Sequence, residues 1–367
     1  MATSKLKIGI IGCGEIAHQK HMPALASLPQ LAEMTAFCDV VQEKAAKAAQ
    51  TYGSPSARVY TQYEQLLSDE SIDVVHIHTP NAFHAPIAIA AMKAGKHVMC
   101  EKPMAIRSED AKVMLETSRA TGKKLTIGYQ NRFKPESQTL YLACREGALG
   151  EIYFAKAHAI RRRAVPTWGV FHDKEMQGGG PLIDIGTHAI DLTLWMLDNY
   201  EPYSVTGSVY HKMAQQTEGN MFGPWNPEKM GVEDSAFAFI RMRNGATVFL
   251  ESSWALNTTD VREAKTTLCG TLGGAEMKQG PNFETELSFN AAMFGRLVDI
   301  KPHIPKAMND VGADTETVGT KESRQWLESI INDTEPLVTA EQAYVVSWLL
   351  EAVYESAASG QTIYYPG

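Results

Sequence analysis

Short apolar runs alternate with helical periods over the first third of the chain. Leu6-Lys7-Ile8-Gly9-Ile10-Ile11 is a β-branched run of the kind buried on both faces in a parallel sheet. Met34 to Asp39, Arg58 to Tyr60, Asp73 to His78, Lys96 to Cys100 and Lys124 to Tyr129 repeat the type. Between them lie helical stretches: the segment holding His18, Met22, Leu25 and Leu28, then Thr61 to Leu67, Pro86 to Ala94 and Ser108 to Thr121. Gly95 terminates one of these and Ser108 caps another. Strand–helix alternation from 6 to 129 predicts a doubly wound parallel sheet, whose ligand site lies beyond the strand C-termini. Thr79-Pro80-Asn81, Glu101-Lys102-Pro103 and Tyr129-Gln130-Asn131 all sit at that edge.

After about residue 130 the pattern changes. Lys134 to Glu146 reads as a helix, and longer strand-like segments follow at Ile152 to Arg163, Ser204 to Met213, Ser235 to Met242, Thr247 to Ala255 and Lys265 to Cys269. Asn244-Gly245 is a hairpin signal and Gly273-Gly274 a second. Residues 291 to 320 carry no clear period, and helices over Glu322 to Asn332 and Glu341 to Ala358 close the chain. The prediction is an α/β domain over 1–130 and an α+β domain over 131–367 with a large, mostly antiparallel open sheet.

Composition narrows the function classes. The 367 residues are 44% hydrophobic and 21% charged, as in a soluble globular protein. A formal charge of −8 argues against a nucleic-acid surface, and no apolar run reaches membrane length. No signal peptide is evident, and five cysteines without a CxxC pair fit a reducing compartment, so the cytoplasm is expected. Arg161-Arg162-Arg163, if on a strand, would be split between two faces, facing substrate or an interface.

Two glycine-led loops carry the candidate chemistry. In Gly12-Cys13-Gly14-Glu15-Ile16-Ala17, Gly12 permits the tight turn and Gly14 lets backbone approach a pyrophosphate. The helix that follows offers its N–H groups and positive dipole to the anion. Asp39, 22 residues after Ala17, ends the second strand, where an acid binds adenosine ribose hydroxyls and opposes a 2′-phosphate. This favours NAD over NADP. His18 and His21 have H-x-x-H spacing, but no further Cys/His cluster accompanies them in the sequence, so no metal is expected. The second loop is Gly178-Gly179-Gly180, leading through Pro181 into a helix that places Asp184 and His188 one turn apart. A carboxylate that orients an imidazole is a proton-transfer device; the competing reading is a buried pair that ties a helix down.

With these motifs in view, the chain resembles the Gfo/Idh/MocA oxidoreductases, a family named for glucose–fructose oxidoreductase, inositol dehydrogenase and a rhizopine-catabolism protein. The glycine turn, Thr79-Pro80-Asn81, Glu101-Lys102-Pro103 and Gly178 to His188 carry the resemblance, which covers essentially the whole chain. It implies an NAD-binding Rossmann domain and a sugar or cyclitol site against the open sheet. Lys102, Asp184 and His188 would be the catalytic set, oxidising a ring secondary alcohol reversibly to the ketone. The implied cofactor set is Gly12, Gly14, Glu15, Ile16, Asp39, Thr79, Pro80, Asn81, His84, Glu101, Lys102 and Gln130. Sugar-site candidates beside Lys102, Asp184 and His188 are Tyr129, Asn131, Arg132, His158, Arg163 and Trp168; Asn and Arg suit hydroxyl pairs, and Trp suits a sugar face. Alternatives are recycling of bound NAD without release, a reductase of another substrate on the same fold, and a non-catalytic NAD-binding regulator. The family's habit of pairing open sheets implies a homodimer or homotetramer.

Overall fold

The structure is a computed structural model that describes residues 5–279, 284–304 and 316–366. It divides into two compact units. The first comprises residues up to Gln130 together with a later segment that ends at Tyr344, and the second takes the remainder.

The first unit is built on a six-stranded parallel sheet. Its strands are β1 (Leu6–Ile11), β2 (Ala32–Cys38), β3 (Arg58–Tyr60), β4 (Val74–Ile77), β5 (His97–Cys100) and β6 (Leu125–Ile127), in the order β3-β2-β1-β4-β5-β6. The order reverses at β1 and β4, which is where a doubly wound sheet opens its ligand crevice. The strands fall where the apolar runs placed them. Helix bounds shift by a turn at most, with Tyr63–Leu67 for the expected Thr61 start and His84–Lys93 for Pro86 to Ala94. Ser108 is the first residue of its helix, and Arg107 takes the cap position. One larger correction concerns the domain boundary. Helix Val318–Ile331 buries Trp326 and Leu327 in the core formed by Ile8, Ile10, Met22 and Phe37, so the second domain does not hold everything after residue 130. Its amphipathic period announces a helix but not which sheet it will cover.

The second unit carries a nine-stranded sheet. Its strands are β7 (Ile152–Ile160), β8 (Pro202–Tyr210), β9 (Ser235–Met242), β10 (Thr247–Ser253), β11 (Arg262–Gly270), β12 (Gly273–Gln279), β13 (Thr285–Met293), β14 (Arg296–Ile300) and β15 (Ile363–Tyr364). They run in the order β14-β13-β12-β11-β7-β10-β9-β8-β15, antiparallel except for the β7/β10 pair. Asn244-Gly245 makes its hairpin, but Gly273-Gly274 begins β12 and is not a turn. A Cβ on Gly273 would stand 2.7 Å from the Asn290 carbonyl, so close strand approach is what that glycine serves. β14 and the last three residues of β13 fall in the stretch that showed no clear period.

Helix Thr187–Leu197 packs on β7 and β11. Ala155, Ala157 and Ala159 are fully buried and share one face of β7, and Thr266 on β11 accepts a 3.0 Å hydrogen bond from Thr193 of the helix. Small residues on that face let the helix lie close. Each outward neighbour, Lys156 and His158 included, points to the opposite face by the two-residue period of a strand.

Candidate active site

The first unit's crevice is lined by three loops. Gly12 holds φ +90°, and a Cβ there would lie 2.7 Å from the His78 carbonyl, so only glycine fits. Gly14 has nothing within 4 Å of a Cβ position. It faces open space, as the approach of a pyrophosphate requires. Asp39 accepts from Cys13 N and Val41 N, both at 2.9 Å, which leaves lone pairs on each carboxylate oxygen for hydroxyls. Ile16 and Val40 flank this carboxylate's loops, 38% and 88% exposed, and offer apolar cover to a ring; Val40 carried no signal in the sequence. These features fit an adenine dinucleotide.

Residues Asn81–Phe83 form a 3-10 turn after Thr79 and Pro80. His84 follows, fully buried, with Nδ1 2.7 Å from the Pro103 carbonyl and Nε2 3.0 Å from the Thr79 carbonyl. His84 thus fastens the Thr79-Pro80-Asn81 loop to the Lys102-Pro103 loop and positions both. Glu101 is engaged inside the protein. Its carboxylate meets Lys20 Nζ at 3.0 Å and His21 Nε2 at 2.6 Å, and it accepts from Lys102 N at 3.1 Å. Burial pushes its carboxyl up, but Lys20, His21 and Lys102 outweigh that and hold it well below the usual range. Glu101 therefore sets the backbone of Lys102 and does not reach out to a cofactor. Lys102 is half-buried, and the Lys102–Pro103 peptide is cis.

In the second unit, residues Leu182–Gly186 form a π-helical turn before the α-helix over Thr187–Leu197. The expected α-helix from Pro181 is thus widened through Asp184, a form of turn often found at functional sites. Asp184 accepts a 3.0 Å hydrogen bond from the Trp254 indole, and Arg161 Nη1 stands 3.9 Å from the same oxygen. A donor and a cation are the surroundings that an ionised carboxylate needs. Arg161 is in turn gripped by Glu263 through two bonds of 2.5 and 2.7 Å. β7 ends at Ile160, so the arginine run lies beyond the strand and does not split across its faces. Trp254, directly after β10, and Glu263, on β11, lacked any sequence signal.

The glycines of the second loop serve packing. A Cβ on Gly179 would lie 1.9 Å from the Tyr354 hydroxyl, and one on Gly180 2.2 Å from the Glu233 carbonyl. The close approach that these glycines permit is to the protein itself. Glu233, 2% exposed, accepts from Gly180 N at 2.8 Å, Leu182 N at 3.1 Å and Tyr354 Oη at 2.9 Å. Burial raises its carboxyl despite those bonds.

Several expected sugar-site residues lie elsewhere. Arg132 is fully buried and forms a bidentate pair with Asp191, at 3.0 and 2.6 Å, and a 3.1 Å bond to Tyr200. It is a packing arginine. Tyr129 is fully buried and Asn131 is 5% exposed. His158 pairs with Glu251 and Thr267 on the sheet face opposite the Asp184/His188 helix, which removes it from that site. Trp168 stays available, 45% exposed and edge-on to Phe222 and Phe171. It lines a cavity of about 600 Å³ with His172, Trp225 and Asn226, while Arg163 is half-buried nearby in sequence. Phe171 and His172 stand 6.4 and 6.3 Å from Trp254, the residue that holds Asp184.

Known proteins share this fold. A family model described as "Oxidoreductase family, NAD-binding Rossmann fold" matches residues 6–129, and one for the GFO/IDH/MocA C-terminal domain matches 137–276. The chain is 34% identical to D-glucoside 3-dehydrogenase of Escherichia coli strain K12, over 99% of this chain and 98% of that protein. Inositol 2-dehydrogenase of Salmonella typhimurium is 30% identical over 53% of this chain and 55% of its own length. The solved structure of levoglucosan dehydrogenase with NADH and levoglucosan shares the fold, with a TM-score of 0.84 at 23% identity over 99% of this chain and all of that one. The open glycine turn beside Asp39, the strand order that reverses at β1 and β4, and both family matches lead to one assignment: the chain belongs to the Gfo/Idh/MocA oxidoreductase family and binds NAD through an N-terminal Rossmann domain.

Proposed function

We propose that this enzyme oxidises a ring secondary hydroxyl of a sugar, most closely a glucoside, to the ketone. The observation that carries the reading is the Asp184 carboxylate, held by Trp254 and Arg161 one turn before His188. The full-length similarity to a D-glucoside 3-dehydrogenase supports the substrate class. NAD, when bound, supplies the hydride acceptor. His188 takes the hydroxyl proton, and Asp184 orients the imidazole and stabilises its cationic form. Lys102 serves as a further cation for alkoxide character; preorganised groups of this kind contribute a few kcal/mol each, about 3 where measured. Trp168 offers its ring to the apolar face of the sugar.

The protein acts in the cytoplasm as a homodimer or homotetramer built on the nine-stranded sheet. Phe239 and Phe249 are 39% and 43% exposed on the face away from the helix, with ring centroids 5.3 Å apart, and Phe154 joins them at 5.6 Å from Phe249. Val248 and Leu250 are already buried. A second copy is the cover that this aromatic face needs. NADH formation with glucosides, free hexoses and inositols tests the function. Turnover with one sugar class is expected; none with any of them overturns the reading. Light scattering at micromolar concentration tests the assembly, and a monomer removes it.

A further inference from the structure

Three imidazoles from distant parts of the chain meet inside the first unit. His21 ends the π-helical turn Ala17–His21, His76 lies on β4, and His78 follows β4 directly. His76 and His78 are two apart and so share one strand face. The three are 1%, 0% and 6% exposed, and one ring nitrogen of each lies within 4.8 Å of the others. His21 and His78 have ring centroids 4.1 Å apart, while His76 stands edge-on to both at about 6 Å. His21 Nδ1 and both nitrogens of His76 and His78 have no hydrogen-bond partner in the protein. Five such nitrogens in one core are costly, because each buried polar atom left unpaired costs free energy.

We propose that His21, His76 and His78 bind one divalent zinc-class ion. The surrounding charge and the outer contacts both suit a cation. Glu101 and Glu322 are buried and flank a single ammonium, Lys20, at 3.0 and 2.8 Å, so two carboxylates face one ammonium there. Glu101 bonds His21 Nε2 and leaves Nδ1 to the cluster. A carboxylate behind a histidine is the recurrent outer partner of a metal ligand, fixing its tautomer and raising its basicity. Three imidazoles without thiolate or free carboxylate select the zinc, cobalt and nickel group over calcium or magnesium. The nitrogens, within 4.8 Å of one another, would close further around an ion held at roughly 2.0–2.1 Å.

The ion would tie the turn after the cofactor's glycine loop to the strand end before Thr79. It is a structural clamp and takes no part in proton transfer. The test uses the full-length protein, stripped with chelator and dialysed against zinc. Wild type is expected to retain about one zinc per chain by elemental analysis and to melt at higher temperature with zinc than without. His78→Gln and His76→Gln should each retain less than about a tenth of that and lose the zinc-dependent shift, while His18→Ala, outside the cluster, keeps both. Cobalt loading of wild type should give a visible absorption that His78→Gln lacks. Wild type that retains no zinc and no cobalt overturns the proposal, whatever the variants' folding. Zinc retained equally by His78→Gln overturns it as well.

Discussion

Two glycine-led loops, each feeding a π-helical turn and each tied by a buried glutamate, look alike in sequence and serve opposite ends. The first, Gly12 to Ala17, leaves Gly14 facing open space, and Glu101 grips the turn behind it through Lys20 and His21. The second, Gly178 to Gly180, is filled by Tyr354 and Glu233, and Glu233 holds its amides directly. One loop is empty so that a ligand can enter. The other is full so that the next turn, which carries Asp184, cannot move. Glycine enrichment signals close approach in both cases, but it does not say what approaches.

The largest effect expected from this contrast is chemical. His188→Ala should lower turnover by about 10² to 10⁴ while NAD binding, followed by fluorescence titration, stays near wild type. Near-normal turnover in a folded, NAD-binding variant would falsify the base assignment and make the pair a helix tie. Next come the glycines themselves. Gly180→Ala drives a Cβ into the Glu233 backbone and should cost about 1–3 kcal/mol or more, seen as a lower melting temperature. Gly14→Ala meets no atom, so its melting temperature should hold while NAD affinity falls by roughly tenfold, about 1.4 kcal/mol. Equal destabilisation by the two substitutions erases the distinction between the loops.

A change of the same tenfold size, in specificity and not in binding, is expected at the open loop's rim. Asp39→Ala should reduce the preference for NAD over NADP by about an order of magnitude, roughly 1.4 kcal/mol, in the ratio of kcat/KM values. An unchanged ratio removes Asp39 from cofactor selection. The smallest effect separates the two glutamates by sign. Glu101 is held below its unfolded value, so its stabilisation is full above that value and is lost as pH falls through the folded one. Glu233 is raised, so its buried charge penalises the fold at neutral pH and the penalty eases on acidification. Urea unfolding from neutral pH downward should show the deficit of Glu101→Gln shrinking and that of Glu233→Gln growing. Each slope is at most about 1.4 kcal/mol per pH unit. Parallel slopes contradict the assignment.

Most of the elements and the first loop's chemistry were legible in the sequence, although helix Gln42–Tyr52 and strands β12 to β15 were not. Apolar runs fix strands through local periodicity, and G-x-G-x-x-A followed by Asp39 is a local arrangement whose geometry is set by φ and by the strand end. It also located Asp184 and His188, since four-residue spacing is a property of one helix. Which side chains meet depends on the packed fold. Arg132 was spent on Asp191, and His158 was put on the far sheet face, because pairing across strands and register are nonlocal. Trp254 and Arg161 came to Asp184 from the ends of two different strands, and no spacing in the chain encodes that meeting. Helix Val318–Ile331 joined the first core although it follows the second sheet in the chain. His21 gained His76 and His78 because β4 runs beneath the turn, so a motif that lacked partners along the chain has them in space. Local patterns settle backbone form at short range; the chemistry of a buried cluster depends on contacts between residues far apart in sequence, which only the packed fold brings together.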